Sequence, residues 1–92
     1  MAKTVKAIKD PDCLDAMDSQ CIGQLIRARR TQSGLTIEQA SALCGVAKQT
    51  LMMIEHGNEK AQIGKVFQVL KGLGISLSAN QSNSQRDNNE WI

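Results

Sequence analysis

A single glycine, Gly45, stands between two stretches too short to fold separately and too regularly spaced to be loop: Thr36–Cys44 and Lys48–Ile54. Thr36 places a side-chain oxygen ahead of an apolar-periodic run. Gln39, three positions on, completes the spacing by which a cap and its N3 side chain satisfy each other's free N–H groups. A helix is therefore expected from Ile37, with Ile37, Ala40 and Leu43/Cys44 following the helical period. Gly45 then supplies the left-handed backbone that a sharp turn between packed helices requires. Val46 points back into the core. From about Lys48 a second helix carries Leu51 and Ile54 inward and leaves Lys48, Gln49, Met52 and Met53 outward. Two helices so closely coupled restrict the chain to a small all-α arrangement in which the second keeps one face free.

The segments around this pair extend the pattern. A first helix, capped by Asp18 or Ser19, is expected through CIGQLIRARRTQS to Gly34, with Ile22, Leu25 and Ile26 on one face. After the linker HGNEKA, a further helix QIGKVFQVLKGLG is expected to turn Ile63, Val66, Phe67, Leu70 and Leu73 to one side, ending at Gly72 and Gly74. Burying such side chains is worth ~1.5–3 kcal/mol each before entropy is counted. Ile75-Ser76-Leu77-Ser78 then alternates apolar and polar, a short strand signal. Four residues make no stable strand alone, and no other segment can pair with them, so a second copy is the expected partner. These elements divide the chain into an arm with a short helical turn over 1–18, a domain over 19–79 and a tail over 80–92. Residues 1–10 are expected to be a flexible arm with Lys3, Lys6 and Lys9 spaced by three, and Asp10-Pro11 to open a turn through Cys13, Leu14 and Met17. The tail is polar up to Trp91-Ile92 and is expected to be disordered in isolation.

With 92 residues, 41% of them hydrophobic and 2% aromatic, the core has to be aliphatic. Domains this small are marginal alone, and dimerisation is a common remedy. No apolar run approaches the roughly 20 residues of a membrane span, and the charged N-terminus lacks a signal-peptide core, so a cytoplasmic location is expected. The net charge of +2 is concentrated in the middle of the chain, around Arg27, Arg29, Arg30 and Lys48, a mild pointer to nucleic acid. Cys13, Cys21 and Cys44 have no metal-ligand spacing, and with one histidine no metal site is expected. The plain reading of all three is small hydrophobes, Cys44 beside the turn on the core side; a redox couple of Cys13 and Cys21 is the alternative. No nucleophile–base constellation or phosphate loop is present, Gly72-Leu73-Gly74 following a helix rather than a strand, so no enzyme, cofactor or small-molecule substrate is expected.

Residues IGQLIRARRTQSGLTIEQASALCGVAKQTLMMIEHGNEKAQIGKVFQVLKGLGISLS resemble the Cro/C1 (Xre-type) helix-turn-helix family, with Gly45-Val46 and Glu55-x-Gly57 at its spacings. Within that family the compact size, the ISLS segment after the last helix and the polar tail ending in Trp resemble the HipB antitoxins of HipA/HipB toxin–antitoxin modules. The resemblance implies a lambda-repressor-like domain of four or five helices and a homodimer joined by a two-stranded β-lid from Ile75, Ser76, Leu77 and Ser78. It further implies double-stranded DNA with a palindromic operator, repression of the protein's own operon and a HipA-like Ser/Thr kinase toxin as partner. It also implies that Arg30 pairs with Glu55 as architecture. The chain departs from the family where Ile37 replaces a frequent Gln and Ala47 a frequent Ser or Thr, and where Met52 and Met53 replace frequent polar residues.

The candidate DNA-binding residues are Thr36, Ala47, Lys48, Gln49, Thr50, Met52, Met53 and His56. Lys48 in a first helical turn meets the positive end of the helix dipole, at a cost of roughly 0.3–1 kcal/mol; a cost without structural return suggests a DNA partner. Lys48 suits guanine O6/N7 or a phosphate, Gln49 an adenine edge, and Met52 and Met53 a thymine methyl. Thr36, Thr50 and the N–H groups of the helix start suit phosphate oxygens. For His56, phosphate contact and an ordinary helix-end role both remain, as phosphate contact and solubility do for Arg27 and Arg29. Trp91 and Ile92 are the candidate anchor for a partner, either a toxin or a protease reading the tail. Two other functions stay open: a stand-alone repressor with no toxin, and a thiol-based redox sensor.

Overall fold

The computed structural model describes residues 4–13 and 17–79. Four helices follow in order: α1 Ser19–Gln32, α2 Ile37–Cys44, α3 Lys48–Glu55 and α4 Ile63–Gly72. Asp18 is the cap of α1, its carboxylate accepting from the Cys21 N–H at 2.8 Å. Arg29 and Arg30 lie in the last turn of α1, where cations complement the helix dipole. The Thr36–Gln39 capping box forms in both directions, at 3.1 and 2.9 Å. Gly45 has φ +73°, and the Val46 N–H returns to the Ser41 carbonyl at 3.0 Å, so the chain reverses within two residues.

One apolar cluster holds the four helices: Ile26 from α1, Ala40 and Cys44 from α2, Leu51 and Ile54 from α3, Val69 and Leu70 from α4, and Ile75 beyond it. α3 packs against each of the other three helices. Its crossing with α1 is close because Gly23 has no side chain; a Cβ there would meet the Ile54 carbonyl oxygen and lie 2.7 Å from that of Glu55. α4 closes on α2 in the same way at Gly72, where a Cβ would lie 2.6 Å from Cys44 Sγ. Gln68 ties that contact further, its Nε2 donating to the Cys44 and Gly45 carbonyls at 2.9 and 3.0 Å. Those are carbonyls that the end of a helix leaves without partners.

Three expectations are corrected. The arm expected to be flexible is docked, its Asp10 carboxylate drawn to Arg29 and Gln32 of α1; residues 10–13 are not helical, and the rest of the expected turn falls on residues 14–16, outside the described residues. The inner face of α4 is Val69 and Leu70, while Ile63 and Phe67 are 69% and 54% exposed, so part of the apolar stripe faces out of this single chain. Cys13 and Cys21 are joined in a disulfide, with Cα atoms 6.2 Å apart, rather than serving as separate small hydrophobes. Residues 75–79 are irregular in the single chain, with Ile75 buried and its N–H bonded to the Leu70 carbonyl at 2.8 Å. The tail over 80–92 and residues 14–16 lie outside the described residues.

Gly23 is the most exacting of these contacts, since two backbone carbonyls cannot move aside as a side chain can. Gly23→Ala should lose ~1–3 kcal/mol in urea denaturation, the range for overpacking a tight contact. A variant as stable as the parent would show that α1 and α3 cross less closely than described.

Candidate nucleic-acid interface

α3 is divided sharply by burial. Leu51 and Ile54 are 0% and 2% exposed, whereas Met52 and Met53 are 39% and 40% exposed, and Lys48 and Gln49 also face solvent. Thr50 is half-buried and Ala47 is exposed. Ala47 caps α3 with no side-chain bond, and the first N–H groups of a helix have no acceptor within it. The start of α3 therefore presents open donors beside a lysine and a glutamine. That set can take phosphate oxygens and read a base edge, and the methionines add apolar contact.

Lys48, expected from the sequence to stand uncompensated, does have a structural return. Its Nζ lies 3.0 Å from Glu38 Oε2 in the first turn of α2. Both side chains are about half exposed, and such pairs are worth ~0.2–1 kcal/mol. The pair offsets the helix-dipole cost, so the position of Lys48 alone does not call for a partner. What remains is its exposure at the rim of the α3 face. Thr36, half-buried at the start of α2, accepts from the Gln39 N–H through its hydroxyl oxygen, which leaves the O–H proton for another acceptor. His56 caps the other end of α3; its Nδ1 lies 2.8 Å from the Met52 carbonyl, and the ring is exposed.

Behind this face is a buried ion pair. Arg30 donates through Nε and Nη2 to the two Glu55 oxygens at 2.6 and 3.1 Å, and through Nη1 to the Leu35 carbonyl at 2.8 Å. The side chains are 10% and 6% exposed. This one guanidinium thus joins the end of α1, the approach to α2 and the end of α3, fixing where the outward residues of α3 sit. Thr36, Lys48 and Met52 share a cleft whose far wall is Thr4 and Val5 of the N-terminal arm. The docking of the arm, the Gln68 bonds and the Lys48–Glu38 contact have no local spacing signal and are not visible in the sequence. Of the other candidates, Ile75 is buried, Leu77 is 42% exposed, Ser76 and Ser78 are exposed, and Trp91 and Ile92 lie outside the described residues.

The helix-turn-helix family profile matches residues 26–80, the span from mid-α1 past α4. The chain belongs to the Cro/C1-type helix-turn-helix family. It is 35% identical over 77 residues to the HTH-type transcriptional regulator y4mF of Sinorhizobium fredii, covering 84% of this chain and 87% of that one. The fold is similar to HipB in a HipB–O4 20mer complex and in a HipA–HipB–O2–O3 complex. Each superposes with a TM-score of 0.68 at 16% identity, over 75% of this chain and 97% of the other. As a helix-turn-helix protein, the chain is a DNA-binding transcriptional regulator. No helix among the described residues is long and apolar enough to cross a membrane.

Removing one member of the Arg30–Glu55 pair leaves a buried charge without its partner, which costs ~3–5 kcal/mol in comparable sites. Glu55→Ala should therefore be among the most destabilising single changes, measured by urea denaturation. A loss below about 1 kcal/mol, the level of an exposed pair, would mean that Arg30 is not buried as described.

Proposed function

We propose that this regulator is a dimeric, operator-specific repressor that controls its own operon and acts as the antitoxin of a HipA-like Ser/Thr kinase. The observation that carries the DNA-reading part is the exposed α3 edge, from Ala47 to Met53, backed by the rigid Arg30–Glu55 pair. Lys48 and Gln49 are the base- and phosphate-contacting groups, Met52 and Met53 the apolar ones, and Thr36, Thr50 and His56 flank them against the phosphate backbone. A palindromic operator follows from a two-fold dimer, since each α3 then enters one of two successive major grooves.

The dimer itself is supported by the unpartnered apolar side of α4. Ile63, Phe67 and Leu77 are exposed there, and Phe67, Leu70, Ile75 and Leu77 border one groove. Residues 75–78 have a strand's alternation and, among the described residues, no strand to pair with. A second copy supplies both an apolar cover and an antiparallel partner, which makes the two-stranded lid. The toxin partner is supported by the likeness in fold to HipB, which one of the similar structures holds together with HipA. Trp91 and Ile92 are the segment proposed to dock into that kinase, in a cytoplasmic complex.

Three outcomes check this reading. Lys48→Ala should weaken binding to a duplex selected by the wild-type protein by about 10-fold, in the range of ~1–3 kcal/mol for a specific contact. It should also flatten the dependence of affinity on salt; an unchanged affinity and slope would remove Lys48 from the interface. Phe67→Asp with Leu77→Asp should convert a dimer to a monomer in sedimentation equilibrium. A wild-type chain that sediments as a monomer at high concentration would refute the lid. For the toxin, tagged full-length protein should recover a kinase-fold protein from its native cell and lose it when Trp91 and Ile92 are deleted. Recovery of none would leave a stand-alone repressor.

A further inference from the structure

The N-terminal arm is fixed to the body of the protein at three levels. At the base, Cys13 is bonded to Cys21 in the first turn of α1. Higher up, the Asp10 carboxylate accepts from Arg29 Nε and Nη2, and Gln32 Nε2 donates to both Asp10 Oδ1 and the Ile8 carbonyl at 2.8 Å. Higher still, the Ile8 N–H donates to Thr31 Oγ1, itself buried, at 3.0 Å. The arm therefore climbs α1 from its start to its end in extended form. From Cys13 to Ile8 an extended chain reaches ~16 Å, and from Cys21 to Thr31 the helix rises ~15 Å, so the two run in step. Beyond Ile8, Thr4 and Val5 line the cleft that holds Lys48 and Met52.

Positive charge is gathered at the far part of this strip. Lys6 and Lys9 are exposed and residues 4–9 hold no acid; Asp10 is paired with Arg29, and Asp12 lies at the other end, beside the disulfide. The arm flanks the α3 face without covering it, because the Lys48 side chain stays 53% exposed and Met52 39% exposed. We propose that residues 4–9 form a second DNA-contacting surface, with Lys6 and Lys9 as phosphate ligands, and that the Cys13–Cys21 bond governs whether that surface is in place. The proposal rests on the reading of α3 as the DNA-binding edge.

Proteins that act on DNA work where small thiols hold cysteines reduced, so a disulfide there is a signal more often than a strut. The Cys13 thiolate attacks a low-molecular-weight disulfide and displaces one thiolate from it. The Cys21 thiolate then attacks the mixed disulfide, closing the Cys13–Cys21 bond and releasing the second thiolate. The cysteine pair gives up two electrons, the small disulfide takes them, and the two cysteine protons end on the two released thiols. Cys44 takes no part, since it is 6% exposed and its burial disfavours the thiolate. With the bond closed, the arm is ordered before DNA arrives, so binding no longer carries the entropy of ordering it.

The test uses full-length protein and a duplex enriched from a random pool by the oxidised wild type, with affinity read by fluorescence anisotropy at several salt concentrations. Protein held in oxidised glutathione should bind about 10-fold tighter than protein reduced by a dithiol. Its salt dependence should be steeper by about 0.9 for each additional phosphate neutralised, so roughly two per protomer for two lysines. Cys13→Ser with Cys21→Ser should bind at the reduced level in both conditions. Lys6→Ala with Lys9→Ala keeps the disulfide and should abolish the redox difference, which a merely stabilising bond would not allow. Equal affinity and slope in the two redox states overturns the proposal. So does weaker binding on oxidation, or a redox difference that persists in the lysine variant. Failure of both states to retain any duplex would overturn the DNA reading of α3 along with it.

Discussion

An eight-residue helix has no stability of its own in water, so α3 owes its conformation to what surrounds it. Two of its side chains, Leu51 and Ile54, enter the core; the Gly23 contact brings its backbone against α1; Glu55 is gripped by Arg30. These few contacts carry a double requirement. If α3 is the edge that meets DNA, as proposed, they have to hold it rigidly while using none of its outward side chains. The division of labour along α3 satisfies both: its buried positions and its last residue are structural, and Lys48, Gln49, Met52 and Met53 remain available.

The same economy explains the Gly45 turn and its surroundings. The left-handed glycine sets the angle at which α3 leaves α2, and Gln68 from α4 bonds the carbonyls at that corner. Cys44 sits beneath it, against Gly72. A change in α4 therefore reaches the α3 face by two routes, through the turn and through the core that α3 and α4 share. Because the exposed Phe67 lies on α4 and Leu77 just beyond it, the apolar side proposed for dimerisation and the outward edge of α3 are separated by only a few residues.

Features written into neighbouring residues are legible in the sequence. The Thr36–Gln39 box, the Asp18 cap, the Gly45 turn and the start of α3 at Lys48 all rest on spacings of a few residues, and each is present. Other features depend on which distant segments meet, and no periodicity reports that. The sequence of α4 shows an apolar stripe but does not say which half of it is buried, so periodicity alone passes over Val69 and places Phe67 inward. The Lys48–Glu38 contact joins residues ten apart on separate helices, and without it Lys48 is uncompensated. Arg30 and Glu55 are paired in the sequence only through the family resemblance, since the residues between them carry no sign of it. The docked arm is the least visible, because its bonds to Thr31 and Gln32 run largely through its backbone, which any sequence shares.

The central claim is that the outward residues of α3 are the surface that meets DNA. Amide chemical shifts of the isotope-labelled full chain, followed while a selected duplex is titrated in, test it at every position at once. The largest changes are expected from Ala47 to Met53 and at Thr36, with the amides of buried Val69 and Leu70 little affected. Changes centred instead on Ile63 to Leu77, with Lys48 and Gln49 unmoved, would contradict it.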